Sequence, residues 1–165
     1  MTRIAYAALA AVALLSLSIA PARADDADTC GHPHIDPQQG QAAIDACTRL
    51  IESGRLGANG QEAAFANRGI DYSYVGQEAH AIEDFDEALR LKPDDAGVFA
   101  LRGAVYNTLG QYARAIQDYD EAIRLKPDDA ETLSNRGIVE REMGNIAAAD
   151  ADLAKAKALD PNVYQ

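Results

Sequence analysis

From residue 62 onward, apolar and small residues recur at helical spacing in short stretches divided by glycine or proline. The stretches are similar in length and come in pairs, and we predict a helix for each: 63–75 and 78–91, 97–109 and 112–125, then 131–143 and 146–159. Glycine at 76, 110 and 144 divides each pair, where a left-handed C-cap favours glycine. Proline, which cannot continue a helix, follows each pair at 93, 127 and 161. The pattern therefore predicts an all-α chain of helical hairpins.

The hairpins are copies of one unit of 34 residues. The string RLKPDDA occupies 90–96 and returns at 124–130, and residues 62–95 align with 96–129 without a gap. A more divergent copy covers 130–163. Besides the turn glycine and the proline, the positions kept in all three copies include an arginine, the glycine after it, an alanine and an aspartate: Arg68, Arg102, Arg136; Gly69, Gly103, Gly137; Ala81, Ala115, Ala149; Asp84, Asp118, Asp152.

This fixed period, with its spacing of glycine, alanine and proline, resembles the tetratricopeptide repeat (TPR) family. The resemblance implies a helix-turn-helix solenoid of three repeats, 62–95, 96–129 and 130–163. It also implies a concave groove, lined by the first helix of each repeat, that binds a peptide or a partner helix. The matching groove positions are Ala66, Asn67, Ile70, Tyr74, Ala100, Leu101, Ala104, Asn107, Thr108, Ser134, Asn135, Ile138 and Arg141.

Some chaperone-binding TPR domains clamp a C-terminal carboxylate with lysine, asparagine and arginine at five groove positions. The corresponding residues here are Ala66, Ile70, Leu101, Glu131 and Asn135. Since only Asn135 is polar in a suitable sense, we expect no such clamp. An extended segment or a partner helix fits this groove better, although the small residues could instead serve close helix packing alone.

The conserved arginine and aspartate of each repeat are 16 residues apart and symmetric about the turn glycine. Because the two helices of a hairpin run antiparallel, this symmetry places each arginine opposite its aspartate. We therefore predict structural ion pairs between Arg68 and Asp84, Arg102 and Asp118, and Arg136 and Asp152. The alternative is that the arginines line the groove as an anion site.

The two ends of the repeat array look different from its middle. The third repeat has Asp150 and Lys157 where the first two have apolar residues, which indicates a polar terminal cap. Its exposed alanines could alternatively form a dimer face. Before the first repeat, residues 25–61 are expected to hold an irregular segment, a capping helix at 38–53 that looks like half of a degenerate repeat, and a glycine-rich link at 54–60.

Residues 1–24 differ in composition from the rest of the chain. Arg3 precedes the apolar run 4–20, and the small residues Ala22 and Ala24 flank Arg23 before acidic residues begin. This pattern predicts a secretory signal peptide, with no stable membrane insertion after its cleavage; an uncleaved anchor is the alternative. Together with the resemblance to short bacterial TPR proteins, it predicts a periplasmic location, with secretion beyond the envelope also open.

The predicted export affects how Cys30 and Cys47, the only two cysteines of the chain, are interpreted. An even pair in an exported protein suggests one disulfide, which here would tie the N-terminal segment to the capping helix. The alternative is a metal site in which Cys30 joins His32, His34 and Asp36, with soft and imidazole ligands two residues apart. A cysteine in a disulfide is not a thiolate ligand, so we favour the disulfide and expect no metal.

The chain carries a formal net charge of −11, and loss of residues 1–24 would remove two arginines and no acid. That balance argues against nucleic acid or an anionic membrane as a partner, and it permits a basic protein partner. No glycine-rich phosphate loop or nucleophile motif is present, so we expect neither catalysis nor a cofactor. We expect a monomeric scaffold or adaptor that binds another protein; the alternatives are a metal-binding protein and a self-associating structural protein.

Overall fold

The computed structural model describes residues 22–31 and 37–163, and within those ranges the ordered elements are all α-helices. In chain order they are α1 Asp26–Gly31, α2 Pro37–Glu52, α3 Ala58–Tyr74, α4 Glu78–Leu91, α5 Ala96–Thr108, α6 Tyr112–Leu125, α7 Ala130–Glu142 and α8 Ile146–Leu159. The predicted all-α class is confirmed.

The helices pack as hairpins that stack in chain order. Helix α3 packs on α4, α5 on α6, and α7 on α8, while α4 contacts α5 and α6 contacts α7. At the N-terminal end, α1 packs on α2, and α2 packs on α3. Each hairpin therefore contacts only its neighbours, as in a helical solenoid.

The turn inside each hairpin depends on glycine. Gly76, Gly110 and Gly144 have φ angles of 76°, 68° and 82°, a region that residues with a Cβ rarely adopt. The reversal is closed by the backbone N–H of Gln77, which donates to the carbonyl of Tyr72 at 2.8 Å. The predicted left-handed caps are confirmed.

The recurring RLKPDDA string both ends one hairpin and starts the next. After α4 ends, the Asp95 side chain accepts hydrogen bonds from the backbone N–H groups of Gly97 and Val98, at 3.0 and 3.2 Å. Asp95 therefore caps α5. Its other carboxylate oxygen lies 2.6 Å from the Lys92 ammonium. The lysine and the second aspartate of the string thus hold the junction between repeats together.

Small residues let the two helices of a hairpin cross closely. Gly69 lies against the Phe85 ring, and Gly103 lies against the Tyr119 ring. Both rings are 1% exposed, and Ala81, on the helix facing Gly69, is fully buried. Phe85 and Tyr119 therefore form part of the core.

The N-terminal part differs from the prediction in two places. Residues 26–31, expected to be irregular, form α1, and the Asp26 carboxylate accepts the Arg23 backbone N–H at 2.6 Å as this helix begins. The link predicted at 54–60 is shorter, because α3 already begins at Ala58 and packs on α2. This packing overrides the helix-weakening effect of Gly60.

Most of the predicted signal peptide lies outside the described residues. Within residues 22–31 and 37–163, no helix combines the length and apolar character that crossing a bilayer requires.

Candidate functional site: a concave groove

Helices α3, α5 and α7, the first helices of the three hairpins, lie side by side and contact one another in sequence. Between α3 and α5, toward their C-terminal ends, the described residues form a pocket of about 380 Å³. We call it the apolar pocket, and its lining is Ile70, Ser73, Tyr74, Phe85, Leu101, Ala104, Val105 and Thr108. Its lining contains no charged side chain.

A second pocket, of about 310 Å³, lies between α5 and α7 and shares Leu101 and Ala104 with the apolar pocket. Its remaining lining is Gly97, Ala100, Lys126, Asp129, Glu131, Thr132 and Asn135. A third pocket, of about 470 Å³, continues past α7, and we call it the acidic pocket. Its lining is Asp129, Ala130, Glu131, Ser134, Asn135, Asp160 and Val163. The shared residues make these three pockets one continuous groove.

The predicted groove residues differ in how much of their surface is exposed to solvent and in whether they line a pocket. Ile70, Tyr74 and Ile138 expose 41%, 50% and 44% of their surface, which is high for large apolar side chains. Ala66 is buried and lines none of the three pockets. Arg141 is exposed and donates to Asp150 at 2.9 Å.

The remaining predicted positions divide between pocket walls and their surroundings. Those that line a described pocket are Ala100, Leu101, Ala104, Thr108, Ser134 and Asn135. The half-buried amides Asn67 and Asn107 lie outside the linings of these pockets.

The family pattern did not predict several lining residues, among them Lys126, Asp129, Asp160 and Val163. Lys126 and Asp129 belong to the RLKPDDA junction, and Asp160 and Val163 follow α8. The pattern assigns the groove to first helices only, and these residues lie outside them. The repeat alignment placed the junction next to α7, and that was the available signal for Lys126 and Asp129.

The structure brings together all three arginine–aspartate pairs. Each arginine makes two parallel hydrogen bonds: Arg68 to Asp84 at 2.7 and 2.8 Å, Arg102 to Asp118 at 2.8 and 2.7 Å, and Arg136 to Asp152 at 2.7 Å for both. The hydrogen bonds that Arg102 donates to Asp118 are the main reason that the pKa of its guanidinium lies above its ordinary value. This geometry favours the structural interpretation of the arginines over an anion site.

Each arginine also reaches back toward the preceding hairpin. The remaining terminal nitrogen of Arg136 donates to Asp120 at 2.6 Å, and that of Arg102 donates to Asp86. Arg68 makes the equivalent contact with the Thr48 hydroxyl of α2 at 2.9 Å. The sequence analysis predicted the pairing within a hairpin but missed the contact between hairpins, which depends on how the hairpins stack.

At the N-terminal end, Cys30 of α1 and Cys47 of α2 are bonded, with their sulfurs 2.15 Å apart. Asp26 supports the same junction, because its buried carboxylate accepts from the Arg49 guanidinium. The hydrogen bonds from Arg49 are the main reason that the pKa of Asp26 lies below its ordinary value. The sequence analysis did not predict this pair, because it did not predict α1.

The metal alternative depends on residues that the structure does not describe. His32, His34 and Asp36 lie outside the described ranges, and Cys30 is bonded to Cys47. Within the described ranges, no group of three or more histidine, cysteine, aspartate or glutamate residues could hold a metal ion.

The repeat model described as "TPR repeat" matches residues 103–144, which include most of the second hairpin and the first helix of the third. The chain folds as a TPR protein. No curated protein matches the sequence. Solved structures that share the fold include MamA, with 20% identity over 75% of this chain and 70% of MamA, and a TM-score of 0.67.

Two further solved TPR structures have descriptions that mention a peptide. The second TPR of Spaghetti (RPAP3), bound to the HSP90 peptide SRMEEVD, is 23% identical over 61% of this chain and 93% of its own, with a TM-score of 0.59. YrrB, described as a TPR protein with an unusual peptide-binding site, is 18% identical over 75% of this chain and 62% of its own, with a TM-score of 0.65. At these identities the likeness establishes the TPR fold alone.

Proposed function

We propose that this TPR protein is a non-catalytic scaffold that binds a segment of another protein in the groove formed by α3, α5 and α7. The observation that carries the proposal is the exposure of Ile70 and Tyr74, two large apolar side chains that line the apolar pocket of the groove. Exposed apolar side chains beside a continuous groove are typical of interaction surfaces. Burying them against a partner would contribute favourable free energy.

The solved relatives support the same kind of role. The RPAP3 domain holds a peptide of HSP90, and YrrB is described by its peptide-binding site. The net charge of −11 supports a protein partner over nucleic acid or an anionic membrane. We propose that the protein acts alone, as a monomer, on its partner.

We also propose that the protein works in the bacterial periplasm. The support is the signal-like composition of residues 1–24 and the pairing of Cys30 with Cys47, since disulfides persist in oxidising compartments. Fractionation of cells that produce the full chain, followed by detection in periplasmic extract, is the direct measurement of this location.

Crosslinked capture from envelope extract tests the groove. The bait is the purified protein, and the blocking variant is Ala100→Arg/Ala104→Arg, which places two long charged side chains on pocket-lining positions of α5. The matched control is Ala113→Arg/Gln117→Arg, which adds the same charge at the same spacing on exposed positions of α6. Circular dichroism of all three proteins shows whether each remains folded.

A partner held by the native protein and by the α6 control, but lost with the α5 variant, supports the groove as the binding surface. Equal capture by all three folded proteins places binding elsewhere and contradicts the proposal. Capture of no protein by the native bait contradicts it as well.

A further inference from the structure

The groove changes character along its length. Its α3–α5 end is the apolar pocket, where Ile70 and Tyr74 stand exposed beside Leu101 and no lining side chain carries a charge. Its α7 end is the acidic pocket, whose lining carries the carboxyl groups of Asp129, Glu131 and Asp160. No basic side chain belongs to that lining as the described residues form it.

The charges of the three acidic side chains are offset to different degrees by neighbouring groups of the protein. Asp129 lies 3.4 Å from the Lys126 ammonium, so its charge is partly offset. Asp160 accepts the Asn162 backbone N–H at 2.9 Å, which leaves its charge in place. Glu131 is exposed in the first turn of α7 and lines both the second pocket and the acidic pocket. Glu131 is therefore the carboxylate that an occupant of the groove would meet as it crosses α7.

We propose that the groove selects an extended segment of a partner protein that carries an apolar side chain and, a few residues away, a lysine or arginine. The apolar side chain occupies the apolar pocket, and the basic side chain lies by Glu131 and Asp160. This inference rests on the proposed function, because it names the chemistry of the segment that the same groove binds. The net charge of −11 acts in the same direction, since it attracts basic segments over long range and repels acidic ones.

The HSP90 peptide SRMEEVD, which the RPAP3 domain holds, is a contrasting case, because its three acidic side chains outnumber its one arginine. Its glutamates and C-terminal carboxylate would bring negative charge to a groove that is already acidic at one end. Like charges across an interface lower affinity and suppress unsuitable partners. We therefore expect this protein to discriminate against that class of peptide.

Selection from a random peptide library displayed on phage, with the purified protein as bait, tests the preference without assuming a partner. Enriched sequences are expected to pair an apolar residue with lysine or arginine. Affinities of the enriched peptides are then measured by fluorescence anisotropy, against the same peptides with glutamate in place of the basic residue and against SRMEEVD. We expect the basic peptides to bind more tightly, with a difference that shrinks as salt is raised.

Two variants, each of which removes the charge of one glutamate, show whether the preference for a basic residue arises in the groove. Glu131→Gln is expected to weaken binding of the basic peptide about two- to fivefold, the range of an exposed ion pair. Glu83→Gln, at an exposed position of α4 outside the groove lining, is expected to leave the affinity unchanged. Ala104→Arg is expected to abolish binding of every selected peptide, because it fills the pocket wall that the apolar and second pockets share.

The outcomes separate this inference from the proposed function. If the selected peptides bind the native protein and not Ala104→Arg, but show no preference for a basic residue, the inference is overturned. The groove then remains the binding surface. Equal loss in Glu131→Gln and Glu83→Gln overturns it too, because the charge effect is then not local. If Ala104→Arg binds the peptides as tightly as the native protein does, both the inference and the proposed function are overturned. The same holds if light scattering shows that a second copy of the chain fills the groove.

Discussion

Arg102 lies between two aspartates that belong to different hairpins. It makes a two-bond contact with Asp118 of its own hairpin and a further contact with Asp86 of the preceding one. The two carboxylates differ in environment, since the Asp118 side chain is 8% exposed and the Asp86 side chain is 55% exposed. The same guanidinium therefore combines a buried pair inside a repeat with a solvated pair between repeats.

Removing the buried partner of Arg102 is expected to cost far more stability than removing the exposed one. Asp118→Ala leaves the guanidinium without its buried counter-charge, and we expect the free energy of unfolding to fall by about 2–4 kcal/mol. Asp86→Ala removes a solvated pair, and we expect a loss of about 0–1 kcal/mol. Urea unfolding followed by circular dichroism measures both. Equal losses would show that burial does not decide the contribution of these pairs.

Gly103 is expected to be required for the close crossing of α5 and α6. A Cβ at this position would lie 2.9 Å from the buried Tyr119 ring and 3.3 Å from the Ala115 carbonyl oxygen. Neither can move freely, so we expect Gly103→Ala to lower the free energy of unfolding by about 1–3 kcal/mol. Thermal unfolding followed by circular dichroism is the measurement.

The matched substitution is Gly60→Ala in the first turn of α3. There the nearest atom is 3.3 Å away on the partly exposed Leu56 side chain, which can shift. Alanine is the better helix former, so this change is expected to be neutral or to stabilise by about 0.5–1 kcal/mol. A Gly103→Ala protein as stable as Gly60→Ala would contradict the packing that the structure shows.

Reduction is expected to destabilise the N-terminal end. The Cys30–Cys47 bond closes a loop of 17 residues between α1 and α2, and such a closure contributes about 3 kcal/mol on the chain-entropy model. The Tm of the native protein should therefore fall when a thiol reductant is added. The Cys30→Ser/Cys47→Ser variant should start at the lower Tm and not respond to reductant. A native Tm that is indifferent to reductant would mean that the bond does not hold α1 in place.

Acid is expected to weaken the contact between α1 and α2 through Asp26. Hydrogen bonds from Arg49 hold the pKa of Asp26 in the folded protein below its ordinary value of 3.8. The stabilisation is therefore complete above that ordinary value and is lost as the pH falls through the lower folded-state pKa. Thermal unfolding across this acidic range should show a steeper loss of Tm in the native protein than in Asp26→Asn.

The control for the acid experiment is Asp94→Asn, which changes an exposed aspartate of the first RLKPDDA junction. It should follow the native protein through the whole pH range. If Asp26→Asn also follows the native curve, the Arg49 contact does not contribute to acid sensitivity.

The sequence alone determined the hairpins, the positions of their turns and the pairing of Arg102 with Asp118. These features depend on residues close in the chain: helical periodicity sets the apolar face, glycine sets the turn, and symmetry about that turn sets which side chains meet. A local pattern that is repeated three times is compatible with few other folds. For this reason the all-α repeat architecture could be predicted.

Only the tertiary structure decided the contacts between hairpins. The reach of Arg102 to Asp86 depends on the small rotation from one hairpin to the next, which no single repeat encodes. The early start of α3 depends likewise on its packing against α2, which outweighs the poor helix propensity of Gly60. Local sequence therefore determined each repeat, and packing between repeats formed the pockets between α3 and α5 and between α5 and α7.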